Sequence, residues 1–264
     1  HYAGHATAIV SVADDGGSSG RLRDALGIAP PGDIRRCLVA MGDPDSMWGK
    51  AFEHRFGSGE LEGHAVGNLV IAGLAAATGD FLAALDEAGR LLGATGPVLP
   101  ATTTPVQLQA EGEDGPIAGQ VKVAKAGRIR RVSIVPADVQ PPPAALEALA
   151  AADQVVLGPG SLFTSVLAAL AVPALKQAVG ASPGRRVYVC NLGPQEAETA
   201  GFDAAAHVEA LLDHGVEIDA VLCDPRFVPT RPLPVPVHHR ELADPDSRAH
   251  DPARLAGALA DLLG

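Results

Sequence analysis

The sequence predicts an α/β fold, a parallel sheet flanked by helices with an antiparallel β-meander inserted. Three observations carry this expectation. Short apolar runs recur at 6–12, 152–157, 186–191 and 218–223, and the first two enter glycine-rich loops followed by helical patterns. Apolar residues make up 47% of the chain and aromatics only 3%, so the core must be built from Ala, Val, Leu and Ile, as suits helices on parallel strands. Between about 96 and 136 the texture changes to apolar–polar alternation, the mark of a half-exposed antiparallel sheet. The 264 residues are thus expected to form one domain over 1–264 carrying a β-rich insertion.

The first run, 6–12, reads as a buried strand that ends in Asp14-Asp15-Gly16-Gly17-Ser18-Ser19-Gly20-Arg21. Gly16 and Gly17 let backbone N–H groups approach a ligand, Ser18 and Ser19 add hydroxyl donors, and Arg21 with Arg23 adds charge suited to phosphate. Asp14 and Asp15, at the carboxyl end of a strand, are placed to hold Mg²⁺ or to accept sugar hydroxyls. The same residue types also make an ordinary surface turn. Pro30-Pro31-Gly32 forces a turn, after which Asp33 serves as a helix cap or as a ligand contact. Residues 46–56 form a helical pattern with Trp48, Phe52 and Phe56 in one core-facing stripe. A small-residue helix then runs from Gly63-His64-Ala65-Val66-Gly67-Asn68 to about residue 78. His64 and Asn68 share a face near its N-terminus, either as an anion site or as a satisfied polar pair. Gly67 and Gly73 weaken this helix unless close packing or a ligand requires them.

An amphipathic helix covers 80–92, and the insertion follows as strands at 106–110, 117–123 and 129–135. Pro141-Pro142-Pro143 ends it, and a helix covers 144–151. The strand at 152–157 then meets Gly158-Pro159-Gly160-Ser161 and a helix. Ser161 reads as its N-cap, and the free N–H groups of the first turn suit a phosphate; the alternative is a tight turn without a ligand. The loop is neither a P-loop nor the Gly-x-Gly-x-x-Gly of a dinucleotide fold. Asn191 ends the third strand, where polar residues face the crevice. A helix to about 214, a strand at 218–223, a tail with five prolines from 225 to 236, and a helix at 252–263 complete the chain. His238-His239 lacks a third ligand at metal-binding spacing.

A net charge of −11 without a Lys/Arg block argues against a nucleic-acid partner, yet Arg21, Arg23, Arg35 and Arg36 leave room for a small anion. Three widely spaced cysteines point to a reducing, cytoplasmic setting, and no apolar run is long enough for membrane insertion. The chain opens on His1 in mid-pattern, so a preceding strand and loop are expected outside it.

Five segments in order resemble the YvcK-type gluconeogenesis factors of the CofD-like superfamily. They are the stretch from Val12 to Arg23, Pro30-Pro31-Gly32-Asp33-Ile34-Arg35, Gly63-His64-Ala65-Val66-Gly67-Asn68-Leu69, Leu157-Gly158-Pro159-Gly160-Ser161-Leu162-Phe163-Thr164-Ser165, and Val187-Tyr188-Val189-Cys190-Asn191-Leu192. The resemblance implies a Rossmann-like α/β fold that binds a nucleotide diphosphate, notably UDP-N-acetylglucosamine, and acts in carbon-source adaptation and cell-shape control. It implies that Gly158, Gly160, Ser161 and Thr164 hold the diphosphate, together with a Gly-rich loop that such proteins carry at an earlier strand. Asn191 and Asn68 would then meet sugar or base, with Mg²⁺ as the only cofactor in view and a homo-oligomer as a further partner. The superfamily's transferase moves a phospho-acyl group from a nucleotide diphosphate donor, and that activity stands as the alternative. After Asn191 such proteins read Met-Thr-Gln-Pro-Gly-Glu-Thr, of which Gln195, Glu198 and Thr199 are matched here.

Overall fold

The first apolar run forms β1 (Ala8–Val10), which pairs in parallel with β2 (Val98–Pro100) so that Ala8 lies opposite Val98. This is a computed structural model, and it describes residues 4–195, 197–245 and 249–263. Five helices connect the two strands: α1 (Gly17–Leu26), α2 (Gly32–Met41), α3 (Met47–Glu53), α4 (Val66–Thr78) and α5 (Phe81–Leu92). Their ends follow local chemistry. The Ser46 hydroxyl accepts from Gly49 N, and the Asp80 carboxylate accepts from Leu82 N and Ala83 N. Left-handed glycines at 27, 79 and 93 close α1, α4 and α5.

The aromatic stripe expected on the third helix is broken. α3 ends at Glu53, where His54 turns to extended backbone, so Phe56 leaves the helix; Phe52 is buried and Trp48 stays 48% exposed. Gly67 has the packing reason that a helical glycine needs, since a Cβ there would lie 2.5 Å from the Phe52 ring. Gly73 faces open space.

The insertion differs from a simple meander. β3 (Gln107–Gly112), β4 (Gly115–Ala118) and β5 (Arg131–Val135) form an antiparallel sheet in the order β4-β3-β5. The alternation that promised a strand through Val123 instead yields α6 (Gln120–Lys125). Gly119, at φ 101°, turns the chain, and a distant carboxylate on the Val121 amide supplies the cap that local sequence lacks. The buried face of this sheet, Leu108, Ala110, Val132 and Ile134, joins the same core as β1 and α2.

The second half alternates as expected. α7 (Pro143–Ala150) precedes β6 (Gln154–Leu157), and a π-helical turn (Leu162–Val166) runs directly into α8 (Leu167–Leu170). Next come α9 (Pro173–Ala181), β7 (Arg185–Val189), α10 (Ala204–Asp213) and β8 (Ala220–Cys223). β9 (Val237–His239), beyond the prolines, joins β6, β7 and β8 in an all-parallel sheet, and α11 (Pro252–Ala260) follows. Tyr188 faces the main core, while Val187 and Val189 face a second cluster with Ala220, Leu222, Leu259 and Leu262. The strand ends at Asp14, Leu157 and Asn191 therefore belong to two parallel sheets around one core, not to one sheet. No single helix among the described residues is long and apolar enough to cross a membrane.

Candidate functional site

Beyond β1 the chain stays extended, and neighbouring side chains on extended backbone point in opposite directions. Asp14 and Asp15 accordingly engage different elements. Asp14 Oδ1 accepts from Gly16 N at 2.9 Å, and its other oxygen abuts Gly32, where a Cβ would come within 2.7 Å of it. Asp15 Oδ1 accepts from Val121 N at 2.9 Å and so caps α6. Asp14 and Asp15, expected to share Mg²⁺, bond to different partners, and among the described residues no three His, Cys, Asp or Glu side chains form a metal-holding group. Asp33 lies near Asp14; burial first, and then the Asp14 charge, raise its pKa against the pull of Arg36 and Arg35.

Gly17 begins α1 and is exposed, whereas Ser18 and Ser19 turn inward. Asn68 Nδ2 donates to Ser18 Oγ at 3.1 Å, and the Ser18 hydroxyl is hydrogen-bonded to His64 Nδ1 at 3.0 Å. Burial, then Arg21 and Arg55, hold the His64 pKa below the ordinary histidine value. Arg21 Nη2 donates to Glu62 O at 2.7 Å, and Arg55 donates to Gly63 O. The expected basic cluster thus resolves. Arg35 is buried against Glu53 (2.6 Å) and Phe52 O, Arg23 pairs with Asp24, and Arg36 lies 3.6 Å from Asp33. Only Arg21 remains at the opening junction, joined by Arg55.

At the second junction the donors are largely engaged from within. Asn191 Oδ1 accepts from Gly160 N, and its Nδ2 donates to Gly160 O, both at 3.0 Å. Gln195 Nε2 donates to Ser161 Oγ at 3.3 Å. Glu198 is 3% exposed and accepts from Phe163 N (2.5 Å), Thr164 N (3.1 Å) and Thr164 Oγ1 (2.9 Å). Asn191 and Thr164, expected at the ligand, hold the turn itself. Leu162 is fully buried, so the Ser161 amide and the proton of the Ser161 hydroxyl are the donors left for an anion, with Gly158 and Gly160 shaping the approach. The short helix α6 links the two junctions, because it is capped by Asp15 and packs on the π-helical turn. A surface depression of about 450 Å³, lined by Thr103, Thr104, Asp138 and Gln140 among others, contains none of these residues.

The family described as 2-phospho-L-lactate transferase CofD matches residues 1–253. The chain belongs to the CofD family. It is 47% identical over 211 residues to the gluconeogenesis factor of Halalkalibacterium halodurans, covering 79% of this chain and 66% of that protein. It is 44% identical to the gluconeogenesis factor of Bacillus subtilis (84% of this chain, 72% of that one). It is also 42% identical to a putative gluconeogenesis factor of Mycobacterium tuberculosis (97% and 82%). A solved structure of a UPF0052-family protein from Bacillus halodurans superposes with a TM-score of 0.88 at 37% identity, covering 98% of this chain and 90% of that one.

In this CofD-family chain, sequence reasoning missed Arg55, the cap that Asp15 places on α6, and the anchoring role of Glu198. Arg55 had a weak signal, as a lone cation a few residues before His64. The other two carried none, because their partners are remote in sequence.

Proposed function

We propose that this protein is a nucleotide-sugar-binding regulator whose ligand is UDP-N-acetylglucosamine, acting in carbon-source adaptation and cell-shape control. One observation supports the reading above the others. Two glycine-rich strand-to-helix junctions are tied to one short helix, and the donors left open at each suit phosphate. At the first, the exposed start of α1 lies beside Arg21, Arg55 and His64. At the second, Ser161 offers its amide and hydroxyl, while Asn191 holds this loop in place as Asn68 holds the first. Asp14 is the carboxylate available for a phosphate-bound Mg²⁺, which takes few protein ligands and keeps its waters. The relatives' shared description as gluconeogenesis factors supports the role in carbon-source adaptation.

Calorimetric titration with UDP-N-acetylglucosamine, GDP and NAD, with and without Mg²⁺, tests the reading. Saturable binding of the UDP-sugar is expected. Silence toward it alongside tight GDP binding would overturn it in favour of a second reading, which the family match supports: transfer of a phospho-acyl group from a nucleotide diphosphate donor. Product formed from a labelled donor would establish that activity.

A further inference from the structure

Cys190 and Cys223 meet at the carboxyl ends of β7 and β8. The register that sets Val189 opposite Leu222 sets Cys190 opposite Cys223, and Cys190 N continues the ladder by donating to Leu222 O at 2.9 Å. Facing residues of neighbouring strands lie roughly 4.8 Å apart, within the Cα separation of about 4.4–6.8 Å that a disulfide accepts. Both thiols are free and wholly buried, and their sulfurs lie 3.1 Å apart. Closing to a covalent bond of about 2.05 Å therefore requires a shift of only about 1 Å.

The residue after each cysteine is a clamp. Asn191 holds Gly160 through both its N–H and its carbonyl. Asp224, 3% exposed, accepts from Leu242 N at 2.8 Å and Ala243 N at 3.0 Å. His250 Nε2 bonds Cys190 O at 3.1 Å, and His250 pairs with Ala243. The two thiols thus stand where three loops are tied to the ends of the sheet.

We propose that Cys190 and Cys223 are an oxidant-sensitive pair whose disulfide locks these loops to the strand ends. The oxidant class is a hydroperoxide, with hydrogen peroxide small and uncharged enough to reach the pair when the strand ends open locally. One sulfur, as thiolate, attacks the peroxide; the O–O bond breaks, leaving a sulfenic acid and one water. The other sulfur attacks the sulfenic sulfur and displaces its hydroxyl, which leaves as a second water with the proton of the second thiol. Two thiols lose two electrons to one peroxide. A neighbour at 3.1 Å makes this closure outrun further oxidation to sulfinic acid, and burial spares the resting thiols from incidental reaction. The device is independent of which ligand the crevice takes.

Peroxide treatment of the reduced full chain tests this, read by peptide mapping after alkylation and by amide hydrogen exchange. Mapping should find peptides joined through Cys190 and Cys223, released again by dithiothreitol. The Gly160, Leu242 and Ala243 amides should exchange about tenfold more slowly in the oxidised chain, and the Val121 amide on α6 should change less. In Cys223→Ser, Cys190 should instead proceed to sulfinic acid under the same treatment. Wild-type thiols that stay alkylatable, or that reach sulfinic acid without a cross-link, would overturn the proposal, and this arm holds even if the variant does not fold. A cross-link that slows the three amides no more than Val121 would also overturn it.

Discussion

His207 is wholly buried beside Tyr188, whose hydroxyl is hydrogen-bonded to His207 Nδ1 at 3.0 Å, and between the rings of Phe202 and Phe227. Burial pushes its pKa down to about 4, only weakly opposed by Asp203. His214 donates from Nδ1 to Ala210 O at 2.6 Å and accepts from Val132 N at Nε2, at 3.0 Å; burial lowers its pKa too. For both residues the folded-state pKa lies below the unfolded value of 6.5, so the unfolded chain binds the proton more readily. Their contribution is complete above about pH 6.5 and declines as pH falls, for His207 reaching its full loss near pH 4, roughly 3 kcal/mol. Urea midpoints should therefore fall from about pH 6.5 to 4.5, and a flat profile across that range would contradict this assignment. Glu198→Ala leaves the Phe163 and Thr164 amides without partners and should cost about 1–3 kcal/mol in denaturant titrations.

At the scale of the element, α6 depends on a residue outside the insertion. Asp15→Ala removes the acceptor for Val121 N and should destabilise the protein by about 0.5–2 kcal/mol. Hydrogen exchange should show the loss concentrated in 120–125; exchange rates there equal to wild type would exclude the cap. Helix α4 offers a paired test. Gly67→Ala meets Phe52 at 2.5 Å and Arg35 Cδ at 2.8 Å and should cost about 1–3 kcal/mol. Gly73→Ala faces open space in the same helix and should stabilise by about 0.5–1 kcal/mol. Thermal melts of the two variants should move in opposite directions.

Across the whole molecule, one buried cluster joins β1, the helices of the first half, the antiparallel sheet and the main-core face of the four-stranded sheet. Such a shared core predicts cooperative unfolding. The single tryptophan, Trp48, reports from α3, while the buried thiols of Cys190 and Cys223, 3.1 Å apart at the ends of β7 and β8, report from the other half. Trp48 fluorescence and thiol labelling should give coincident urea midpoints; separated midpoints would show two independently stable parts.

The sequence by itself determined the α/β class, the strand–glycine–helix junctions and most helix starts, because period, glycine and capping residues act within a few positions of themselves. Asp80, Asp203 and Asp251 cap the helices that follow them, as their positions imply. The motif residues were legible as well, and Gly16, Ser18, His64 and Asn68 do gather at one junction. What those polar groups bond to was decided only by tertiary structure. Asp15 reaches 106 residues along the chain to Val121, Asn191 reaches 31 to Gly160, and Glu198 reaches 34 to Thr164. A buried donor or acceptor must find a partner, and packing chooses that partner from anywhere in the fold. For that reason residues 120–123, read as a strand from their alternation, became a helix once a remote carboxylate capped them. For the same reason a turn with the pattern of an open phosphate site holds a buried glutamate.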